Sequence, residues 1–142
     1  MIKKIAPICC MIASIVLMAL PFGVRMNFAS PDAAPNVSYY SYFSGMPIGY
    51  ANWFPILSVV FSVVVIILLA LRIKNKRPDS DFFGFGIPVY ICLTICTIAT
   101  PLSWLIFDTS TILSLFVFLL HIATSMLGGI FNKQSKNAKG SQ

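Results

Sequence analysis

Trp53–Leu71 reads WFPILSVVFSVVVIILLAL, and Arg72–Arg77 follows it as RIKNKR. The first run holds nineteen uncharged residues. At about 1.5 Å of rise per residue they make a helix of roughly 28 Å, close to the hydrocarbon thickness of a bilayer. Its valines and isoleucines would suit a buried strand in water. A run of this length bounded by charge predicts a helix instead. Pro55 falls in the first turn, where a missing N–H costs little. Ser58 and Ser62 are four apart and share a face, and small residues there let a second helix approach closely.

The rest of the chain has the same character. Of 142 residues, 58% are hydrophobic and 10% are charged, and glutamate is absent. Soluble domains carry about 25% charged residues. So few charges cannot cover a soluble surface of this size, and the chain is placed in lipid. The net charge of +6 does not point to nucleic acid. Its basic residues sit in short clusters beside apolar runs, with no basic helix face interleaved with aromatics.

Three further spans are predicted, giving spans at about 5–24, 53–71, 87–107 and 111–131 within a membrane domain of residues 1–131. Residues 5–24 resemble a secretory h-region but are longer than one, and Pro31 follows the small residues Ala29 and Ser30. An uncleaved helix that bends or ends at Pro21 is expected. Pro101 interrupts the third span and frees the carbonyl near Thr97, which Thr97 or Thr100 could satisfy. Asp108, Thr109 or Ser110 is the expected cap of the fourth helix, and Asp79, Ser80 or Asp81 that of the third. Residues 132–142 read as a disordered basic tail.

Between the first two spans lies a segment rich in Pro, Gly and aromatics. Tyr39, Tyr40, Tyr42, Tyr50 and Trp53 mark it as a surface at the headgroup level, where such rings are apolar on one side and hydrogen-bonded on the other. The alternation from Tyr40 to Ser44 permits a short strand. Asn36-Val37-Ser38 matches a glycosylation acceptor, a pattern common by chance.

Orientation follows from Lys and Arg. Nine lie at the N-terminus, in the 72–81 connection and in the tail; only Arg25 lies on the other side. Both termini are therefore expected in the cytoplasm, in a multi-pass protein of the plasma membrane.

Candidate chemistry is sparse. His121 is the single histidine and falls mid-span, which makes it a functional candidate by position. The plainer expectation is a neutral ring bonded to a Ser or Thr on another helix. Thr94, Thr97, Thr100 and Ser103 recur every three residues as a polar ridge, suited to an interhelical seam or a narrow polar path. Cys92 and Cys96 with His121 lack the fourth ligand and the supporting carboxylate of a zinc site. Packing is the expected role of these thiols and of Cys9 and Cys10. All four Asp residues lie at or beyond span ends, so no catalytic pair, metal site or cofactor site is predicted, and an enzyme is disfavoured.

Two stretches, LPFGVRMNFASPD at Leu20–Asp32 and YSYFSGMPIGYANWFP at Tyr40–Pro55, resemble a group of small four-span membrane proteins of Gram-positive bacteria that carries no assigned activity. The resemblance implies a bacterial plasma membrane and four helices, and no site. The expected fold is all-α, a four-helix transmembrane bundle with an aromatic extracytoplasmic loop between helices 1 and 2. The expected function is that of an accessory, sensor or interaction subunit with a larger membrane partner. The alternative is a homo-oligomeric channel or carrier for a small neutral solute.

Overall fold

Each of the four apolar runs carries a helix in the computed structural model, which describes residues 2–28, 36–44, 52–74 and 86–139. The helices are α1 (Ile2–Ala19), α2 (Phe54–Lys74), α3 (Ile87–Phe107) and α4 (Ile112–Lys139). Two strands, β1 (Val24–Phe28) and β2 (Asn36–Tyr40), lie between α1 and α2. Three helices hold stretches long and apolar enough to cross a membrane: Phe54–Arg72, Ile87–Phe107 and Ile112–Ile130. The apolar part of α1, Ile5–Ala19, is shorter, about 22 Å at helical rise.

Burial is confined to a narrow stripe on every helix. On α1 it runs Pro7, Met11, Ser14, Met18; on α2, Pro55, Ser58, Ser62, Val65, Leu69; on α3, Val89, Leu93, Cys96, Thr100, Ser103; on α4, Ser114, Val117, His121, Thr124. Steps of three and four keep one seam facing the neighbours. α2 packs on α3, α1 on α4, α1 on α2 and α3 on α4. In the three long stretches only 33%, 33% and 28% of residues are buried inside the protein. What faces outward is Ile, Val, Leu and Phe, with Leu105 84% and Ile112 78% exposed. A water-soluble helical protein places its apolar side inward; this surface suits lipid. Because lipid tails are as apolar as leucine, close packing and interhelical hydrogen bonds must hold the seams together.

The inward side chains form two groups. Met11, Val65, Leu69, Val89, Leu93 and Cys96 fill the end nearer the chain's N-terminus. Met18, Val24, Met26, Tyr42, Val59 and Val117 fill the other. The second group exists because α1 is shorter than the predicted span. It stops at Ala19, where the Leu20 N–H closes a tight last turn on the Leu17 carbonyl at 3.2 Å, and Pro21 has no N–H with which to continue. The chain then turns into β1, which pairs antiparallel with β2 in the register Val24↔Tyr40, Met26↔Ser38, Phe28↔Asn36. Val24 and Met26 point inward and seat the hairpin on the helix ends.

This hairpin corrects the all-α expectation: the chain is mostly helical but not purely so. Valine and the aromatics fit a pleated surface, and the strand falls at Asn36–Tyr40, before the Tyr40–Ser44 alternation. Two further expectations change. The cap of α4 is Thr111, one to three residues later than predicted: its Oγ1 accepts the Ser114 N–H at 3.0 Å, and Ser114 Oγ accepts the Thr111 N–H at 3.0 Å. Such a reciprocal pair satisfies two donors that the helix itself leaves open. Asp108 instead closes α3 in the left-handed conformation, with φ 49°, which Asp tolerates better than most residues. Finally, α4 continues to Lys139 where an irregular tail was expected. Lys, Gln and Ala are good helix formers, and lysines favour a helix C-terminus. The expected caps of α3 at residues 79–81 lie outside the described residues.

Candidate functional site

The stripes of α1, α2 and α4 meet at His121. Its ring is fully buried, and Nε2 lies 3.0 Å from Ser14 Oγ and 3.1 Å from Ser62 Oγ. Serine is what allows this: a larger residue at either position would push its helix off the imidazole. Nδ1 is buried with no hydrogen-bond partner. An orphaned buried N–H is rarer than an orphaned acceptor, so the proton belongs on Nε2, from which the ring donates toward the two serine oxygens. One neutral ring thereby ties three helices together.

Ser14 and His121 have the separation of a nucleophile and its base. The other parts of such a site are not beside them. Nδ1 has no orienting group, and Ser14, Ser62 and His121 are all fully buried. Among the described residues no group of three His, Cys, Asp or Glu side chains could hold a metal ion.

A second polar cluster closes the hairpin end. Asn52 is buried, donates from Nδ2 to Ser103 Oγ at 2.7 Å, and accepts the Phe54 N–H on Oδ1 at 3.2 Å. Ser103 Oγ lies 2.6 Å from Thr109 Oγ1. One side chain thus starts α2 and joins it to the end of α3 and the α3–α4 turn. Tyr42 is buried in the apolar group of Met18 and Val117. Its N–H donates to the Met18 carbonyl at 3.0 Å. Burial pushes its phenol pKa up, against the smaller opposing effects of hydrogen bonds with Ser114 and Thr100.

The chain matches no protein-family model, no curated protein and no solved structure.

The remaining predicted residues are dispersed. A step of three residues turns a helix by 300°, so the threonine ridge drifts by about 60° per step. Thr94 is exposed on the outward face, Thr97 is half-buried, and Thr100 and Ser103 are buried. Thr97 Oγ1 donates to the Leu93 carbonyl at 2.6 Å and Thr100 Oγ1 to that of Cys96 at 3.4 Å. Both are bonds back along α3, and neither reaches the Thr97 carbonyl that Pro101 leaves open: one ends a full turn before it and the other on the residue just before it. Of the aromatic surface, Tyr39 and Trp53 are exposed, Tyr40 is half-buried and Tyr42 is inside. Tyr50 lies outside the described residues. Cys9, Cys10, Cys92 and Cys96 are free thiols.

Two residues that matter here were not singled out from sequence as site residues. Asn52 carries a local signal, since Asn just before a helix commonly bonds a backbone N–H two residues on. Arg25 was read only as a topology charge. Its Nε is buried without a hydrogen-bond partner.

Proposed function

We propose that this chain is a small multi-pass protein of a bacterial plasma membrane. Its four helices form a transmembrane bundle with both termini in the cytoplasm. It works as a non-enzymatic accessory, sensor or interaction subunit for a larger membrane protein. The observation that carries this reading is the direction in which polar groups are spent. Ser14, Ser62 and His121 bond one another across three helices. Ser58 donates to the Cys96 carbonyl at 3.3 Å across α2 and α3, and Asn52, Ser103 and Thr109 close the end. Groups used in this way hold a bundle together and do not line a water path, while the outward surface is left apolar for lipid or for another protein's helices. Lys and Arg placement, nine against one, supports the orientation.

A second reading is a homo-oligomeric channel or carrier for a small neutral solute, and Thr94 favours it. The residue is exposed on α3, where a neighbouring copy could pack against it. Gentle detergent extraction of the native membrane, followed by sizing and peptide sequencing of the particle, separates the two. A particle holding a defined larger protein supports the subunit. A particle of this chain alone, which also conducts solute in liposomes, supports the channel. A reporter fused after Gln142 that is active only outside the cell would refute the orientation.

A further inference from the structure

A cavity of about 430 Å³ opens beside the hairpin, between β1 and the start of α4, within the size range of small-molecule sites. Arg25, Ile112 and Leu113 lie on its wall together with Phe22, Tyr39 and Phe116. Arg25 reaches this position because its backbone N–H is held by the Thr109 carbonyl at 3.5 Å, which fastens β1 to the turn that precedes α4. Its Nε is enclosed and has no hydrogen-bond partner. Asp108, in that same turn, instead accepts from Asn27 Nδ2 at 3.5 Å. That Nε N–H is costly to leave without an acceptor but is closed off from the cavity; an anion there would meet Arg25 as the cationic side chain on the cavity wall.

The start of α4 adds donors of the same sign. The Thr111–Ser114 cap takes the Ser114 N–H. The N–H groups of Ile112 and Leu113, in the first turn, have no partner within the helix and lie at its positive end. A guanidinium and free backbone N–H groups contributed to one cavity by two separate elements suit a tetrahedral anion with several acceptor oxygens. The rest of the cavity is greasy. Phe22 and Tyr39 meet edge to face at 6.4 Å, and Ile112 and Phe116 continue as an exposed apolar strip along α4, one of the helices long enough to cross a membrane. A cationic pocket at a span's end, opening onto an apolar strip, has the shape of an amphiphile's complement.

We propose that Arg25 and the first turn of α4 bind the phosphate of an anionic phospholipid, with an acyl chain lying along Ile112 and Phe116. This rests on the membrane-spanning reading above. The test uses the full chain purified in an uncharged detergent. Phosphatidylglycerol, the matching diacylglycerol and inorganic phosphate are the probes, and native mass spectrometry counts what stays bound. Phosphatidylglycerol should be retained, while diacylglycerol and inorganic phosphate at equal concentration should not. Arg25→Gln should weaken phosphatidylglycerol binding about tenfold, the loss of one charged hydrogen-bond donor, and Arg25→Lys should weaken it less. Should Arg25→Gln lose helicity, Phe116→Ala probes the same pocket at an exposed position and should also lower lipid retention. Equal lipid binding by the wild type and a folded Arg25→Gln overturns the site. Inorganic phosphate binding as tightly as the lipid overturns the amphiphile and leaves a soluble anion. Recovery of the untreated chain in the aqueous fraction of cells would instead fail the membrane reading itself.

Discussion

The ring of Tyr42 occupies the space that a side chain on Gly23 would need. A Cβ on Gly23 would lie 2.8 Å from Tyr42 Cδ2 and 3.0 Å from Cε2. The turn between α1 and β1 therefore has no room for a methyl group unless the ring moves, and the ring is held by its bonds to Ser114 and Thr100. Gly23→Ala should destabilise the protein by about 1–3 kcal/mol, the usual cost of overpacking. The effect should shrink in a Tyr42→Val background, because neighbours in contact are not additive. Thermal unfolding in detergent measures both.

Tyr42 also predicts a dependence on pH. Its folded pKa is raised above the ordinary value of 10.0 by burial, so the folded state keeps a proton that the unfolded state gives up. Below the unfolded pKa both states hold the proton and stability is unaffected. As pH rises through about 10 the unfolded state binds fewer protons, and stability falls. Unfolding followed from neutral to strongly alkaline pH should show this loss, and Tyr42→Phe should flatten it. At neutral pH the same substitution should cost about 1 kcal/mol for the lost hydrogen bonds.

The His121 cluster should respond unevenly to substitution. Ser14→Ala or Ser62→Ala alone should each cost about 0.5–1.5 kcal/mol, the range for hydrogen bonds between membrane helices. His121→Leu combined with both serine changes should come back close to wild type, since replacing every partner by an apolar group leaves nothing unpaired. Near-additive losses across the three sites, read by thermal unfolding, would show that the ring does more than join helices.

Asn52 should be the most sensitive small polar residue. Asn52→Ala removes the acceptor of the Phe54 N–H and the donor to Ser103 Oγ, which keeps only Thr109 as a partner, at a cost of about 1–3 kcal/mol. Asn52→Asp keeps the acceptor and loses the donor to Ser103. It should fall between wild type and alanine in the same unfolding measurement.

How much of this could be read in advance depended on the range of the interaction. α2 and α3 begin and end within three residues of their predicted bounds, because an unbroken apolar run bounded by charge or by a turn is a local property of the chain. Arg25 and Asn52 show the opposite case. Each looked like a loop residue, and each acquires its role from Thr109, Ser103 or the start of α4, more than fifty positions away. The threonine ridge failed as a single feature for a geometric reason: a spacing of three is not the helical repeat, so Thr94 and Ser103 point to opposite sides.

Composition and the placement of ten basic residues were enough to mark a chain built from apolar helices, since the preference of a long uncharged run for lipid is summed residue by residue. Which serine meets the histidine, where α1 gives way to a hairpin, and what faces Arg25 all came from packing. Each depends on how three or four segments distant along the chain share one small volume, and hydrophobic patterning carries no record of that.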